Sequence, residues 1–441
     1  MRFAFVLAHR WLGLALATFL FVAGLTGAVI SWDHELDGIL NPHLVRARTS
    51  GPALPPLDLA AIAEQRDPRI RVSYVPLILE PGESLALSIL PRMDPTSGRP
   101  HELDFNQLFL DPATGAELGR RDWGAPWPVT RENLVSFLYE LHYSLHFPEM
   151  WGIDEWGIWL MGIVALVWTV DCFIGFYLTL PARRRATAGA RPQPLRWKDW
   201  AGRWAPAWKI KRGASAWRIN FDIHRAFGLW TWALLFIVAF TGFSLNLHRE
   251  IFFPLMQMVS SVTPTPFEGH RPGDGKHPIE PQVGYADIVE IARHEAAQRG
   301  WQAPVAGIYY APSWGIHTVQ FSHTSRNRTE AGMHPTRLFL DAKGAVLGER
   351  VPWTGTAADL FVQAQFPLHS GRILGTAGRI AISVMGIVVS ALSVTGVVIW
   401  YRKRFARRRS ERTGRPAWAV GKIRVMADKR HKRNKRNKRN N

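Results

Sequence analysis

Four long apolar runs limit the chain more than any other feature. They are WLGLALATFLFVAGLTGAVISW (11–32), WGIWLMGIVALVWTVDCFIGFYLTL (156–180), FGLWTWALLFIVAFTGFSLNLH (227–248) and IAISVMGIVVSALSVTGVVIWY (380–401). Each reaches the roughly 20 residues that a helix needs to cross the hydrocarbon of a bilayer. The sequence therefore predicts a membrane protein with four transmembrane helices. The first run is too long for the apolar part of a secretory signal and lacks an evident small-residue cleavage site, so it reads as a retained anchor.

The net charge of +19 suggests nucleic acid until its distribution is considered. Basic residues crowd the stretch between the second and third runs, from Arg183 to Arg218, and the segment behind the fourth run, which ends in DKRHKRNKRNKRNN. Lysine and arginine beside spans stay cytoplasmic. The expected order is a cytoplasmic N-terminus (1–10), a long outer segment (33–155), a basic cytoplasmic loop (181–226), a second outer segment (249–379) and a basic tail (402–441) expected to be disordered. The excess charge then marks topology and contact with anionic lipid, not nucleic acid. One cysteine, Cys172, excludes an internal disulfide, a cysteine-held zinc and an iron–sulfur cluster.

The chain is written twice. HRWLGLALATFLFVAGLTGAVISW (9–32) lies over HRAFGLWTWALLFIVAFTGFSLNL (224–247) without a gap, matching His9 to His224 and Thr26–Gly27 to Thr241–Gly242. LFLDPATGAELG (108–119) and LFLDAKGAVLGER (338–350) repeat a strand–turn–strand cue in the outer segments. Those segments also predict amphipathic helices at 56–65 and 285–300 and strands at 70–79, 84–90, 305–312 and 316–323. Two repeated span–outer domain–span units, each with an α+β outer domain, are the expected fold. In such repeats, sites sit at the repeat interface.

HRWLG…TG, LHYSLH…WG, DCFIGFYLTLP, FDIHRAFGLW…TG and PLHSGRILG…GRI…SVTGVVIWYRKR together resemble the PepSY-associated transmembrane family, over nearly the whole chain to about residue 405. The resemblance implies a multi-pass protein of the bacterial inner membrane with PepSY-like periplasmic domains. It also implies haem, and reduction of ferric siderophores by part of the family.

The histidines sort by position. His9 and His224 occupy the same place in the two repeats, at the cytoplasmic starts of spans one and three. They read either as interfacial residues paired with lipid or backbone, or as axial ligands of one haem b iron, one imidazole from each helix. The duplication and the small residues Gly13 and Gly228 one turn above favour the haem. His142 and His369, each after a leucine and before a periplasmic span start, form the second pair, for a second haem b. His146 competes with His142, since the two share one face if the segment is helical. His369 lies about ten residues before its apolar run, roughly 15 Å of helix, so the haem must sit at the membrane boundary or the chain must bend near Gly371–Gly378. Arg10 and Arg225 inside, and Arg372 or Arg379 outside, are candidates for haem propionates or ordinary interfacial anchors. His34 and His248 stand behind these pairs, and His101, His270, His277, His294, His317, His323 and His334 are expected on the surface. Asp171, an acid within the second span, carries a low weight.

No dinucleotide fingerprint or P-loop is present. An electron donor must therefore be a separate cytoplasmic reductase, reduced flavin or quinol. The first reading is an oxidoreductase reducing a ferric siderophore or other ferric chelate outside. The alternative is a non-redox PepSY membrane protein that binds peptide or regulates an envelope enzyme. A transport subunit is disfavoured by four spans with little polar lining.

Overall fold

The computed structural model describes residues 1–182, 197–269, 273, 278–324 and 335–413. The basic stretch 183–196, the tail from 414 onward, and His270, His277, His334 and His431 lie outside the described residues.

The main helices in chain order are α1 (Arg2–Ile30), α2 (Pro56–Arg66), α3 (Leu134–Tyr143), α4 (Trp156–Thr179), α5 (Ala216–Trp230), α6 (Trp232–Asn246), α7 (Tyr285–Gln298), α8 (Ala357–His369) and α9 (Gly375–Thr413). Among the described residues three helices are individually long and apolar enough to cross a membrane: α1, α4 and the stretch Arg372–Ala406. The third predicted span is not one straight helix. α5 and α6 meet at Thr231 with a bend of 71°. There the Thr231 hydroxyl donates to the Phe227 carbonyl, a side-chain intrusion of the kind that breaks a helical ladder. Three further boundaries differ from expectation. α1 begins near the N-terminus rather than at residue 11. The supposed loop 181–226 contains the helix Trp197–Trp204 and most of α5. α9 runs on to Thr413, because its basic residues are good helix formers.

Contacts divide the chain into two compact units. One comprises Met1–Phe21, Val167–Phe236 and Val388–Asn441, the other Val22–Leu166 and Ile237–Ile387. The second unit holds the strands β1 (Ile70–Pro76), β2 (Leu85–Pro91), β3 (Gln107–Leu110), β4 (Glu117–Arg121), β5 (Val305–Ala311), β6 (Ile316–Phe321), β7 (Thr336–Asp341) and β8 (Val346–Arg350). The expectation of two outer domains is corrected here. All eight strands form one antiparallel sheet in the order β4-β3-β2-β1-β5-β6-β7-β8. The join is β1 against β5, with Tyr74 opposite Tyr309 and Val75 opposite Ile308. Left apart, each of these strands would present unpaired backbone amides and carbonyls, and pairing removes both edges.

Period-two burial along Leu85, Leu87 and Ile89, and helical-period burial along Leu59, Ala60 and Ala63 and along Ile288, Val289, Ala292 and Ala296, feed one shared core. The two strand–turn–strand cues form the β3–β4 and β7–β8 hairpins. Their tips turn at Gly115 (φ 67°) and Gly344 (φ 87°), with Asp111 and Asp341 accepting turn amides.

Two facing histidine pairs as the candidate functional site

His9 projects from α1 and His224 from α5, and both belong to the first unit. Their ring centroids lie 6.3 Å apart, tilted by 53°. His142 in the last turn of α3 and His369 at the end of α8 belong to the second unit, with centroids 6.0 Å apart and a tilt of 57°. The chain reaches this second arrangement because α8 stops at His369 and two left-handed glycines follow, Gly371 (φ 72°) and Gly375 (φ 59°). A Cβ on Gly371 would meet the Gly378 carbonyl oxygen at 2.3 Å, so the bend requires glycine.

Hydrogen bonds fix the tautomer of all four rings. Thr26 gives its one hydroxyl proton to the Val22 carbonyl and therefore accepts from His142 Nδ1 at 3.1 Å. Thr241 likewise donates to Ile237 and accepts from His369 Nδ1 at 2.9 Å. Thr395 donates to Ala391 and accepts from His224 Nδ1 at 3.0 Å. His9 Nδ1 donates to the two carboxylate oxygens of Asp171, at 2.9 and 3.0 Å. With every Nδ1 a donor, a neutral ring at each position carries its lone pair on Nε2. Among the described residues no hydrogen bond reaches those four Nε2 atoms.

A glycine lies against each ring. A Cβ would fall 3.4 Å from His9 Cε1 at Gly175, 3.2 Å from His224 Cε1 at Gly396, 2.8 Å from His142 Cε1 at Gly27 and 3.5 Å from His369 Cε1 at Gly242. Gly13 and Gly228 differ, since a Cβ on either would meet nothing within 4 Å. Both line a cavity of about 450 Å³ beside His9 and His224, which also touches Trp168, Cys172, Trp232, Arg10, Arg225 and Lys403. Crowding by neighbours strips water from His142 and His369 and pushes them down to about 4 and about 3, so both rings are neutral at ordinary pH.

These observations test whether haem fits. Two imidazoles bound from opposite sides to one metal, at about 2.0–2.1 Å per bond, set their ring centroids about 6.3 Å apart. Both pairs meet that separation, both present Nε2 atoms with no hydrogen-bond partner among the described residues, and the first has open space walled by glycine. The residues present fit the group.

A profile of the PepSY-associated TM region matches residues 6–403. The chain belongs to this family. No curated protein matches it. As a family member it is a membrane protein with an antiparallel sheet, and the histidines singled out in the sequence all lie within the matched residues.

The other residues singled out take the following places. His146 does not share a helical face with His142: α3 ends at Tyr143, and Leu145 (φ 58°) and His146 (φ 51°) turn left-handed. Its Nε2 donates to the Phe137 carbonyl at 2.8 Å while its ring stacks on Phe137 at 4.5 Å, so it pins the helix end. Arg372 and Arg379 bind Asp33 and Glu35. The Arg379 hydrogen bond holds the Glu35 carboxyl down at about 2. Arg225 is bound to Asp222 and the Pro206 carbonyl, whereas among the described residues Arg10 has no such partner. His34 and His248 face Glu83 and Glu268. His317, expected on the surface, is fully buried against Tyr310, while His294 and His323 are exposed. Sequence reasoning undervalued Asp171 and missed the parts played by Thr395, Gly175 and Gly396. The duplicated Thr-Gly was visible, and aligning DCFIG (171–175) with LSVTG (392–396) would have exposed the rest.

Proposed function

We propose that this protein is a dihaem oxidoreductase of the bacterial inner membrane. It passes electrons from a separate cytoplasmic or quinol donor to a ferric siderophore or other ferric chelate in the periplasm, and ferrous iron is released. One observation carries the reading: facing imidazoles occur twice, each time at axial-ligand separation with Nε2 free. His146, by contrast, spends its Nε2 on the Phe137 carbonyl.

When bound, haem b supplies a one-electron ferric/ferrous couple. His9 and His224 would hold it on the cytoplasmic side, and His142 and His369 a second one on the periplasmic side. Thr26, Thr241, Thr395 and Asp171 keep each imidazole in the Nδ1–H tautomer and aim its lone pair. The glycines at 27, 175, 242 and 396 give the rings room to adopt that orientation. Arg10, with no protein partner among the described residues, is the best placed cation for a propionate. For the substrate, hard oxygen donors hold ferric iron far better than ferrous iron, so reduction loosens the chelate.

The test is a stopped-flow experiment on dithionite-reduced protein freed of excess reductant. Mixed with a ferric trihydroxamate and a ferrous-specific chromogenic chelator, it should lose its reduced absorption as the ferrous complex forms. Persistence of the reduced spectrum would remove the ferric chelate as substrate.

A further inference from the structure

Asp171 is a carboxylate inside an apolar helix, 7% exposed, with both oxygens on His9 Nδ1. Its counterpart in the other half of the sequence is uncharged. Gly175 and Gly396 each stand beside an imidazole Cε1, and four residues before them come Asp171 and Leu392. His224 accordingly donates to the Leu392 carbonyl at 3.1 Å and the Thr395 hydroxyl at 3.0 Å. His142 has the Thr26 hydroxyl and the Ala23 carbonyl at 3.0 Å, and His369 has the Thr241 hydroxyl. Of these four imidazoles, His9 alone is bound to a carboxylate among the described residues. Packing does not require it, since leucine fills the matching position, and an acid at membrane depth is costly unless it has a task.

We infer that Asp171 is a positioning residue that sets the reduction potential of the His9–His224 site below that of the His142–His369 site. This rests on the haem reading above. A carboxylate accepting Nδ1–H draws the proton toward itself and makes the ring a more basic, partly anionic ligand. Such a ligand, and a full negative charge in a medium of low dielectric, stabilise ferric over ferrous iron. Arg10, Arg225 and Lys403 line the same cavity and act in the opposite sense, but Arg225 is paired with the buried Asp222, and none of the three touches a ligand ring by hydrogen bond. One electron shared between the two sites, leaving one iron ferric and the other ferrous, then rests mainly on the His142–His369 side. The gradient favours outward transfer without any conformational change.

The experiment is a spectroelectrochemical titration of the purified full chain, with haem counted as the pyridine haemochromogen. Asp171→Asn keeps an acceptor for Nδ1–H and removes the charge. It should retain two haems and raise only the lower midpoint, by at least a tenfold change in the redox equilibrium, ~59 mV for one electron. Two retained haems with unchanged midpoints would overturn the inference and leave the haem reading standing. A second arm covers an Asn variant that loses haem or fails to fold. In His9→Ala the wild-type lower midpoint should vanish, and in His369→Ala the higher. The reverse assignment would overturn the inference, and a wild-type chain without haem would overturn the reading beneath it.

Discussion

At the His142–His369 pair both Nδ1 protons go to threonine hydroxyls, whereas at the His9–His224 pair one goes to a threonine and the other to a carboxylate. Separations, tilts and backing glycines otherwise agree closely between the two. Under the proposed function, the shared part is what holding an iron between two imidazoles would demand. The differing part is free to set how tightly an electron is held. Two sites built alike would have no thermodynamic direction between them, and under the inference above the acid would supply one.

Removing a ligand is the strongest way to break this comparison. His9→Ala or His224→Ala should halve the haem per chain, and so, independently, should His142→Ala or His369→Ala. His146→Ala should leave the count at the wild-type value, because that ring faces Phe137. The next largest effect belongs to the backing glycines. Gly27→Val pushes into His142, where even a Cβ would lie 2.8 Å from the ring, and should deplete the His142–His369 haem while sparing the other, as resolved by the two midpoints. Gly175→Val should do the converse less completely, since its Cβ has 3.4 Å. Threonine variants should be milder still. Thr241→Val leaves His369 Nδ1 without its hydroxyl acceptor, and apparent haem affinity in reconstitution should fall roughly 10–100-fold, the usual range for outer-shell partners.

The smallest effect on either pair should come from His317. Burial pushes this imidazole down to about 4, and among the described residues neither ring nitrogen has a partner. The sign follows from linkage. The unfolded chain takes up a proton below its ordinary value of about 6.5 and the folded sheet does not until about 4, so stability is lost as pH falls through that window. His317→Phe should remove up to about 2 kcal/mol of acid destabilisation, measured by thermal unfolding at pH 7 and pH 4.5, with haem content unchanged.

The spans and strands were legible because burial imposes its period on the sequence. Apolar runs gave α1, α4 and α9, alternation gave β2, and apolar and β-branched runs between turn residues gave β1, β5 and β6, of which β6 is buried throughout. Pairing of β1 with β5 was not legible, because it joins residues more than two hundred positions apart that carry no local mark. The break at Thr231 sits within an apolar run that hides it. Of the site, the four histidines could be chosen from duplication and position. His142 could not be separated from His146 until the left-handed turn at Leu145 and His146 was seen. The reach of His369 depended on glycines whose backbone angles, not side chains, do the bending. Asp171 was noticed only as an acid in a span; its meaning came from the ring it touches.

The most direct measurement is the haem content of the purified full chain from haem-replete cells, read with its dithionite-reduced spectrum. The account predicts two low-spin haems b per chain. A colourless protein, or one whose haem survives loss of His9 and His142 together, would contradict it.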